Sequence, residues 1–377
     1  MMSSSLIAQT EEKKRIRQAQ GTQRSLNSFS SHLCFADNDY LGLSRHPRVT
    51  EAAIRAIHDS GTSARAARHL AGSCREHAFL EKALARWKGT DAALVFSSGY
   101  QTPLGVIPSL VGPKDTILLE RNAHACLFDG AKLSGARIRL FHRNHPDSVE
   151  EVLLSTQKLN REGKILLIAE SLHSMDGDYL EMETLVQLKE KYGTWLLLDE
   201  AHANGVIGPA GSGWAAKSGC TGRIDIQMGT LGKSLGSAGG FVAASTTLID
   251  HFLNEARTFL FGTAPAPAAM AAAAEALQIL CSPEGDQLRD KLNGNIFLHA
   301  SLHPDSQQGP IQPWRVKTNE GAVRARDSLL SRGIEVAAIR PPTVPEGSAR
   351  LRLSLSARHS EAEVRRLAEE LQRLPAE

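Results

Sequence analysis

The stretch Trp195-Leu196-Leu197-Leu198-Asp199-Glu200-Ala201-His202 runs four apolar residues straight into two acids and a histidine. A run that is apolar on both faces suits a strand covered on both sides, and the polar residues that end it then stand at the rim of the sheet. Working outward, the pattern recurs between about residues 90 and 245, in Ala92 to Phe96, Thr116 to Leu119, Ile138 to Phe141, Ile165 to Ala169, Ile224 to Met228 and Gly240 to Ala244. Helix-length amphipathic segments separate these runs, which predicts an α/β fold with a mainly parallel seven-stranded sheet covered by helices. In such open sheets ligands sit outside the carboxyl ends of the strands. The groups that follow the runs, Ser97-Ser98-Gly99-Tyr100, Glu170-Ser171, Asp199-Glu200-Ala201-His202 and Gly229-Thr230-Leu231-Gly232-Lys233, are therefore expected to converge on one crevice.

The character changes after the helical segment Pro265 to Leu280. Gly309 to Val316, Ile334 to Ile339 and Ala349 to Leu355 read as strands, with helices Gly321 to Ser331 and Ser360 to Leu374 between them, which predicts a smaller α+β C-terminal domain. A chain of 377 residues has room for two domains. The expected division is an N-terminal segment 1–45, a large domain 46–265 and a small domain 266–377. With 42% hydrophobic and 22% charged residues, the composition is that of a globular protein and excludes disordered, collagenous and coiled-coil chains. A net charge of +2, with both signs mixed along the chain, advertises neither nucleic acid nor an acidic surface as partner and leaves a small molecule as the default. Five scattered cysteines with no C-x-x-C pair read as reduced thiols and no metal site, and so as a cytoplasmic protein. Glu11, Glu12, Lys13, Lys14 and Arg15 precede any apolar region, which excludes a signal peptide, and Pro265, Pro267 and Glu275 interrupt the most apolar stretch, so no membrane span is expected.

Gly232-Lys233-Ser234 together with the Asp-Glu-Ala-His run raises a phosphate-loop NTPase as an alternative. The motif lacks its first glycine, since Gln227 stands in that place, and the two elements follow in the reverse of their usual order. The other reading of Lys233 is a Schiff-base lysine, which needs a water-poor crevice to lower its pKa. Pyridoxal phosphate, the carbonyl cofactor such a lysine serves, also needs a carboxylate for its ring nitrogen and small donors at a helix N-terminus for its phosphate. Asp199 supplies the first; Thr230 and the Ser98-Gly99-Tyr100 turn supply the second. Plainer readings stand beside these: Lys233 as a surface lysine, Asp199 as a helix cap, His124 as a core histidine satisfied by backbone, and Arg350 with Arg352 as a solvated strand face. The cluster Arg65, Arg68 and His69 likewise suits plain surface.

Taken together, Asn38-Asp39-Tyr40-Leu41-Gly42-Leu43, His124-Ala125, Ser174-Met175-Asp176-Gly177-Asp178, Asp199-Glu200-Ala201-His202 and Gly229-Thr230-Leu231-Gly232-Lys233 make the chain resemble the α-oxoamine synthases. These are fold-type I pyridoxal-phosphate enzymes. The run Ile339-Arg340-Pro341-Pro342-Thr343-Val344-Pro345 is similar to the oxononanoate synthases of that family rather than to its aminolevulinate, ketobutyrate or sphingoid members, and the likeness extends from about residue 35 to the end. The resemblance implies that Lys233 binds the cofactor and later moves the Cα proton of the amino acid. It places His124 against the pyridine ring, Asp199 at the ring nitrogen, and His202 and Ser174 near the phenolic oxygen. Ser98, Gly99, Tyr100 and Thr230 would hold the phosphate, joined by Thr263 from the second subunit of a homodimer with shared sites. Arg352 would take the amino acid carboxylate, while Asn38 and Thr343 line a substrate channel to which segment 1–45 contributes.

The implied reaction is a decarboxylative condensation of L-alanine with pimeloyl-CoA or a pimeloyl-carrier protein, in biotin synthesis. Another α-oxoamine synthase, with a different amino acid or acyl donor, is the nearer alternative. The chain departs from the family's pattern at Gly61-Thr62-Ser63-Ala64-Arg65-Ala66-Ala67-Arg68-His69, where a glycine-rich stretch is usual, and at Tyr100, where phenylalanine is usual. The first departure bears on the substrate pocket. Arg15, Arg17 and Arg24 are candidates to meet a distal acyl carboxylate.

Overall fold

The computed structural model describes residues 5–24, 26, 33–159 and 162–374. Twelve strands form among them: β1 (Leu33–Cys34), β2 (Ala92–Phe96), β3 (Thr116–Glu120), β4 (Arg137–Phe141), β5 (Ile165–Glu170), β6 (Trp195–Asp199), β7 (Ile226–Thr230), β8 (Gly240–Ala244), β9 (Ile311–Arg315), β10 (Ile334–Glu335), β11 (Ala337–Ile339) and β12 (Arg350–Ser354). The seven from β2 to β8 make one sheet in the order β2-β8-β7-β6-β5-β3-β4. All seven apolar runs are therefore strands of a single sheet. The parallel expectation holds for β3 to β7, whereas β8 runs antiparallel to both β2 and β7. A short turn at 231–239 joins β7 to β8, and a parallel return would need a crossover helix that this turn has no length to hold.

Successive side chains of these strands enter different cores, which is why the runs read as continuously apolar. Ile117, Leu119, Leu166, Ile168 and Leu197 pack on one face, and Leu118, Leu167, Ala169, Leu196 and Leu198 on the other. A third core joins helices α2 (Pro47–Ser60) and α3 (Arg75–Lys88) to the helix Pro267–Leu280 and to the C-terminal layer; the helix α1 (Leu6–Ala19) buries no residue. Among the described residues, no helix is long and apolar enough to cross a membrane.

The C-terminal layer is an antiparallel sheet of order β11-β12-β9 backed by the helix Glu361–Gln372. The N-terminal chain is stitched to this layer. β1 pairs parallel with β10, the Phe35 N–H donates to Glu335 O at 2.8 Å, and the Ala357 N–H donates to Tyr40 O at 2.8 Å. This stitching carries Asn38 and Tyr40 to the carboxyl ends of the large sheet. Arg350 and Arg352 do not form a solvated face: they are 5% exposed each, because β12 turns that face toward the large sheet. Arg350 pairs there with Asp176. In the Arg65 to His69 stretch, Arg68 makes a bidentate pair with Glu81 at 2.7 and 3.0 Å, while Arg65 and His69 are exposed.

Candidate active site

The parallel strands β5, β6 and β7 end at Glu170, Asp199 and Thr230, and these three line one cavity of about 160 Å³. Lys233 enters it from the β7–β8 turn. That turn is pinned by bonds from the Gly236 N–H to Lys233 O at 2.8 Å and from the Ser237 N–H to Leu231 O at 2.9 Å. Gly236 has φ +59°, and a Cβ there would come within 2.3 Å of the Ser44 nitrogen, so the turn needs glycine. The chain after Lys233 turns into β8 and opens no helix, so the Gly-Lys-Ser sequence lacks the helix N-terminus on which a phosphate loop depends.

The Lys233 Nζ lies 2.6 Å from His202 Nε2. Burial pushes this amine down to about 8; Asp199 opposes that shift and Arg352 adds to it. A neutral amine is the form that condenses with a carbonyl. Capture of an aldehyde by the cofactor-free protein should thus rise steeply through about pH 8 and level off above about pH 9, whereas an ordinary lysine would still be gaining. Borohydride-fixable absorbance measured against pH checks this, and a rate still climbing at about pH 10 would contradict it.

Asp199 has the opposite problem. Burial and the nearby Glu170 push its carboxyl up to about 7, with Lys233 opposing, and among the described residues it accepts one hydrogen bond, from the Ala201 N–H at 2.9 Å. A buried carboxylate so poorly supported fits a cationic partner, as a protonated ring nitrogen would be. His124 caps helix α5 (Ala125–Ser134), its Nδ1 accepting the Cys126 N–H at 3.3 Å and its own N–H donating to Glu170 Oε1 at 2.5 Å. Burial keeps its imidazole neutral, and it lines the cavity as a planar ring. Gly99 and Tyr100 precede helix α4 (Gln101–Leu110), whose first N–H groups have no partner within the helix. A Cβ on Gly99 would stand 2.9 Å from Thr230 Cβ and Oγ1, so only glycine leaves the cradle open. An amine, a buried carboxylate, a planar ring and a helix N-terminus are what pyridoxal phosphate needs; the residues fit the cofactor.

Not every expected residue lies on the cavity wall. Ser98 Oγ accepts the Gln101 N–H at 3.1 Å and so caps α4. Ser174 donates its N–H to Glu170 Oε2 at 2.8 Å, and its carbonyl accepts from Arg352 Nε at 2.7 Å, which ties the wall to the C-terminal layer. Thr263 is exposed and its carbonyl accepts from Ser97 Oγ at 2.7 Å. Thr343 accepts from Arg24 at 3.4 Å, bringing one of the three N-terminal arginines to the Pro341-Pro342 loop. Asn38 Oδ1 accepts from Arg352 at 2.8 Å. Glu170 and Cys126 line the cavity without having been given a role from sequence. Glu170 was legible as an acid ending a strand, like Asp199; Cys126 carried no signal beyond its place two residues after His124.

Beneath the site Lys88 and Glu200 are both fully buried. Lys88 Nζ bonds Glu200 Oε2, Asn204 Oδ1 at 3.0 Å and the Ser212 carbonyl, and Glu200 Oε1 accepts the Ala215 N–H at 3.0 Å. This network anchors the loop that carries Asp199 and His202. Lys88→Met leaves Glu200 charged and unpaired, at an expected cost of about 3–5 kcal/mol in urea unfolding, which Glu200→Gln in the same chain should partly restore. A loss below about 1 kcal/mol would show that water reaches the carboxylate.

Fold and site together define a pyridoxal-phosphate transferase of the aminotransferase type, and the sequence profile of aminotransferase class I and II matches residues 31–371. The chain is 39% identical to the 8-amino-7-oxononanoate synthase of Geobacter metallireducens, over 94% of this chain and 92% of that one. It is 43% identical to a putative 8-amino-7-oxononanoate synthase of Gloeobacter violaceus, over 88% and 85% respectively. The chain belongs to the 8-amino-7-oxononanoate synthase family. Among solved structures, a serine palmitoyltransferase of S. paucimobilis superimposes with a TM-score of 0.91 at 26% identity, covering 98% of each chain. An 8-amino-7-oxononanoate synthase from Francisella tularensis gives 0.74 at 26% identity, covering 91% of this chain and 97% of that one. Backbone likeness thus spans both substrate classes, while sequence identity sides with the oxononanoate synthases.

Proposed function

We propose that this chain condenses L-alanine with the thioester carbonyl of pimeloyl-CoA or a pimeloyl-carrier protein, giving 8-amino-7-oxononanoate, carbon dioxide and the free thiol for biotin synthesis. The observation that carries the chemistry is the Lys233 amine, held 2.6 Å from His202 in a cavity that Asp199 closes. When bound there, pyridoxal phosphate supplies a ring that withdraws electrons from the amino acid Cα. Asp199 would hold a proton on the ring nitrogen, and His124 would hold the ring in place. Lys233, as a neutral amine, would take the Cα proton, with His202 holding the amine in line. Arg352 binds the carboxylate of the incoming amino acid, where its planar fork fits. Overall one carbon–carbon bond forms at the thioester carbonyl, the carbon–sulfur bond breaks, and the carboxylate leaves as carbon dioxide.

The exposed Thr263, whose carbonyl accepts from Ser97 just ahead of the Ser98-Gly99-Tyr100 turn, is proposed to complete the phosphate site in a second copy of a homodimer. Thr343 and Arg24, bonded to one another, are proposed to face the distal end of the acyl chain. Thiol release tests the substrate assignment: pimeloyl-CoA with L-alanine should exceed the same donor with glycine or L-serine, and exceed palmitoyl-CoA with L-serine. The serine palmitoyltransferase likeness makes that last pair the pointed comparison, and its preference would overturn the substrates while keeping the chemistry.

A further inference from the structure

We propose that Tyr40 is a positioning residue that couples the carboxylate-binding guanidinium of Arg352 to the Lys233 amine through His202. The inference rests on the reading of Lys233 as the cofactor lysine and of Arg352 as the carboxylate site. Tyr40 is fully buried, and its hydroxyl touches three groups: His202 Nδ1 at 2.7 Å, Arg352 at 3.2 Å and Asn38 Oδ1 at 3.1 Å. The opposite edge of the His202 ring meets Lys233 Nζ at 2.6 Å. An unbroken line of four side chains therefore joins the Arg352 guanidinium to the Lys233 amine.

A phenol has one proton to give, and two acceptors compete for it. When Lys233 is an ammonium it donates to His202 Nε2, so the ring proton sits on Nδ1 and points at the Tyr40 oxygen, and the hydroxyl turns to Asn38. When Lys233 is a neutral amine, one proton having gone to solvent, the ring proton sits on Nε2 and the Tyr40 hydroxyl turns to Nδ1. Burial holds His202 neutral throughout, so the ring changes tautomer rather than charge. The guanidinium of Arg352, by donating to the phenol oxygen, makes the hydroxyl a better donor to Nδ1 and so favours the neutral amine. A carboxylate that draws Arg352 away removes this support, and the amine takes up a proton more readily.

Propionate, the carboxylate of alanine without its amine, is the probe. In the cofactor-free full-length chain, labelling of Lys233 by acetic anhydride at about pH 8, read by peptide mass, measures the neutral amine. Saturating propionate should slow that labelling about fivefold in the wild type and less than about twofold in Tyr40→Phe. Lys233 also faces Asp199, Glu170, Cys126 and His124, which the substitution leaves in place, so the difference isolates the hydroxyl. Equal slowing in both proteins overturns the role of Tyr40 alone, since the coupling then runs through space. Propionate that binds Arg352→Ala as well as the wild type overturns the carboxylate-site reading itself. Should Tyr40→Phe fail to fold, 3-fluorotyrosine placed at position 40 keeps the contacts and strengthens the donor; labelling without propionate should then quicken, and no change overturns the proposal.

Discussion

Lys233→Ala is expected to lower product formation by at least about 10⁴-fold and to leave a protein whose yellow cofactor, if held at all, is not fixed by borohydride. The size of the effect follows from the two tasks proposed for one nitrogen: covalent attachment of the cofactor and movement of the Cα proton. No neighbour can take over. His202, the only side chain hydrogen-bonded to that amine among the described residues, is held neutral and far below its usual range by burial and by Lys233 itself, which makes it a weak base. Gel filtration followed by borohydride treatment and peptide mass checks the attachment, and thiol release checks the rate. Retention of more than about one per cent of the activity would mean that another group moves the proton.

Asp199→Asn is expected to cut kcat by about 10²- to 10³-fold while moving the KM for the amino acid little. Asparagine fills the same space but cannot hold a proton on the ring nitrogen, so the electron-withdrawing power of the cofactor is lost in the step that needs it. Carboxylate recognition is proposed to rest on Arg352, which the substitution does not touch. The same change should stabilise the cofactor-free protein. The Asp199 carboxyl is pushed above its unfolded value, to about 7, so its ionisation opposes folding, and the penalty accumulates as pH rises from about 4 to about 7 and is fully present above that. Cofactor-free Asp199→Asn should therefore unfold at higher urea than wild type at about pH 8, and the gap should close toward about pH 4. Lost kcat with unchanged stability would place the Asp199 charge in water rather than in the sealed pocket.

Legibility in the sequence followed sequence distance and residue type. Each strand of the large sheet is apolar on both faces, so its run stands out, and Glu170, Asp199 and Thr230 are visible as the polar residues that end those runs. Asp199 and His202 lie three residues apart, and Lys233 follows one strand later, so a local pattern contained the heart of the site. Tyr40 stands in the Asn38 to Leu43 motif, yet nothing local gives its hydroxyl a role. Its bond to His202 spans 162 positions. Arg350 and Arg352 left two readings open because alternating arginines on a strand suit water as well as a buried site; only the packing of β12 against the Ser174 to Asp176 loop buries them. The antiparallel β8 was also hidden, since an apolar run carries no direction. Lys88 and Glu200 lie 112 residues apart, and neither charge announces the other.

The central claim is that carbon–carbon bond formation and loss of the amino acid carboxylate happen together on this chain. L-alanine labelled with carbon-13 in its carboxyl group, supplied with pimeloyl-CoA, tests it most directly. One labelled carbon dioxide should appear for each thiol released, with an unlabelled 8-amino-7-oxononanoate of matching amount, and none of the three when either substrate is omitted. Thiol released without labelled carbon dioxide would make the chain a thioesterase toward this donor, and labelled carbon dioxide without thiol would make it a simple decarboxylase; either result contradicts the account.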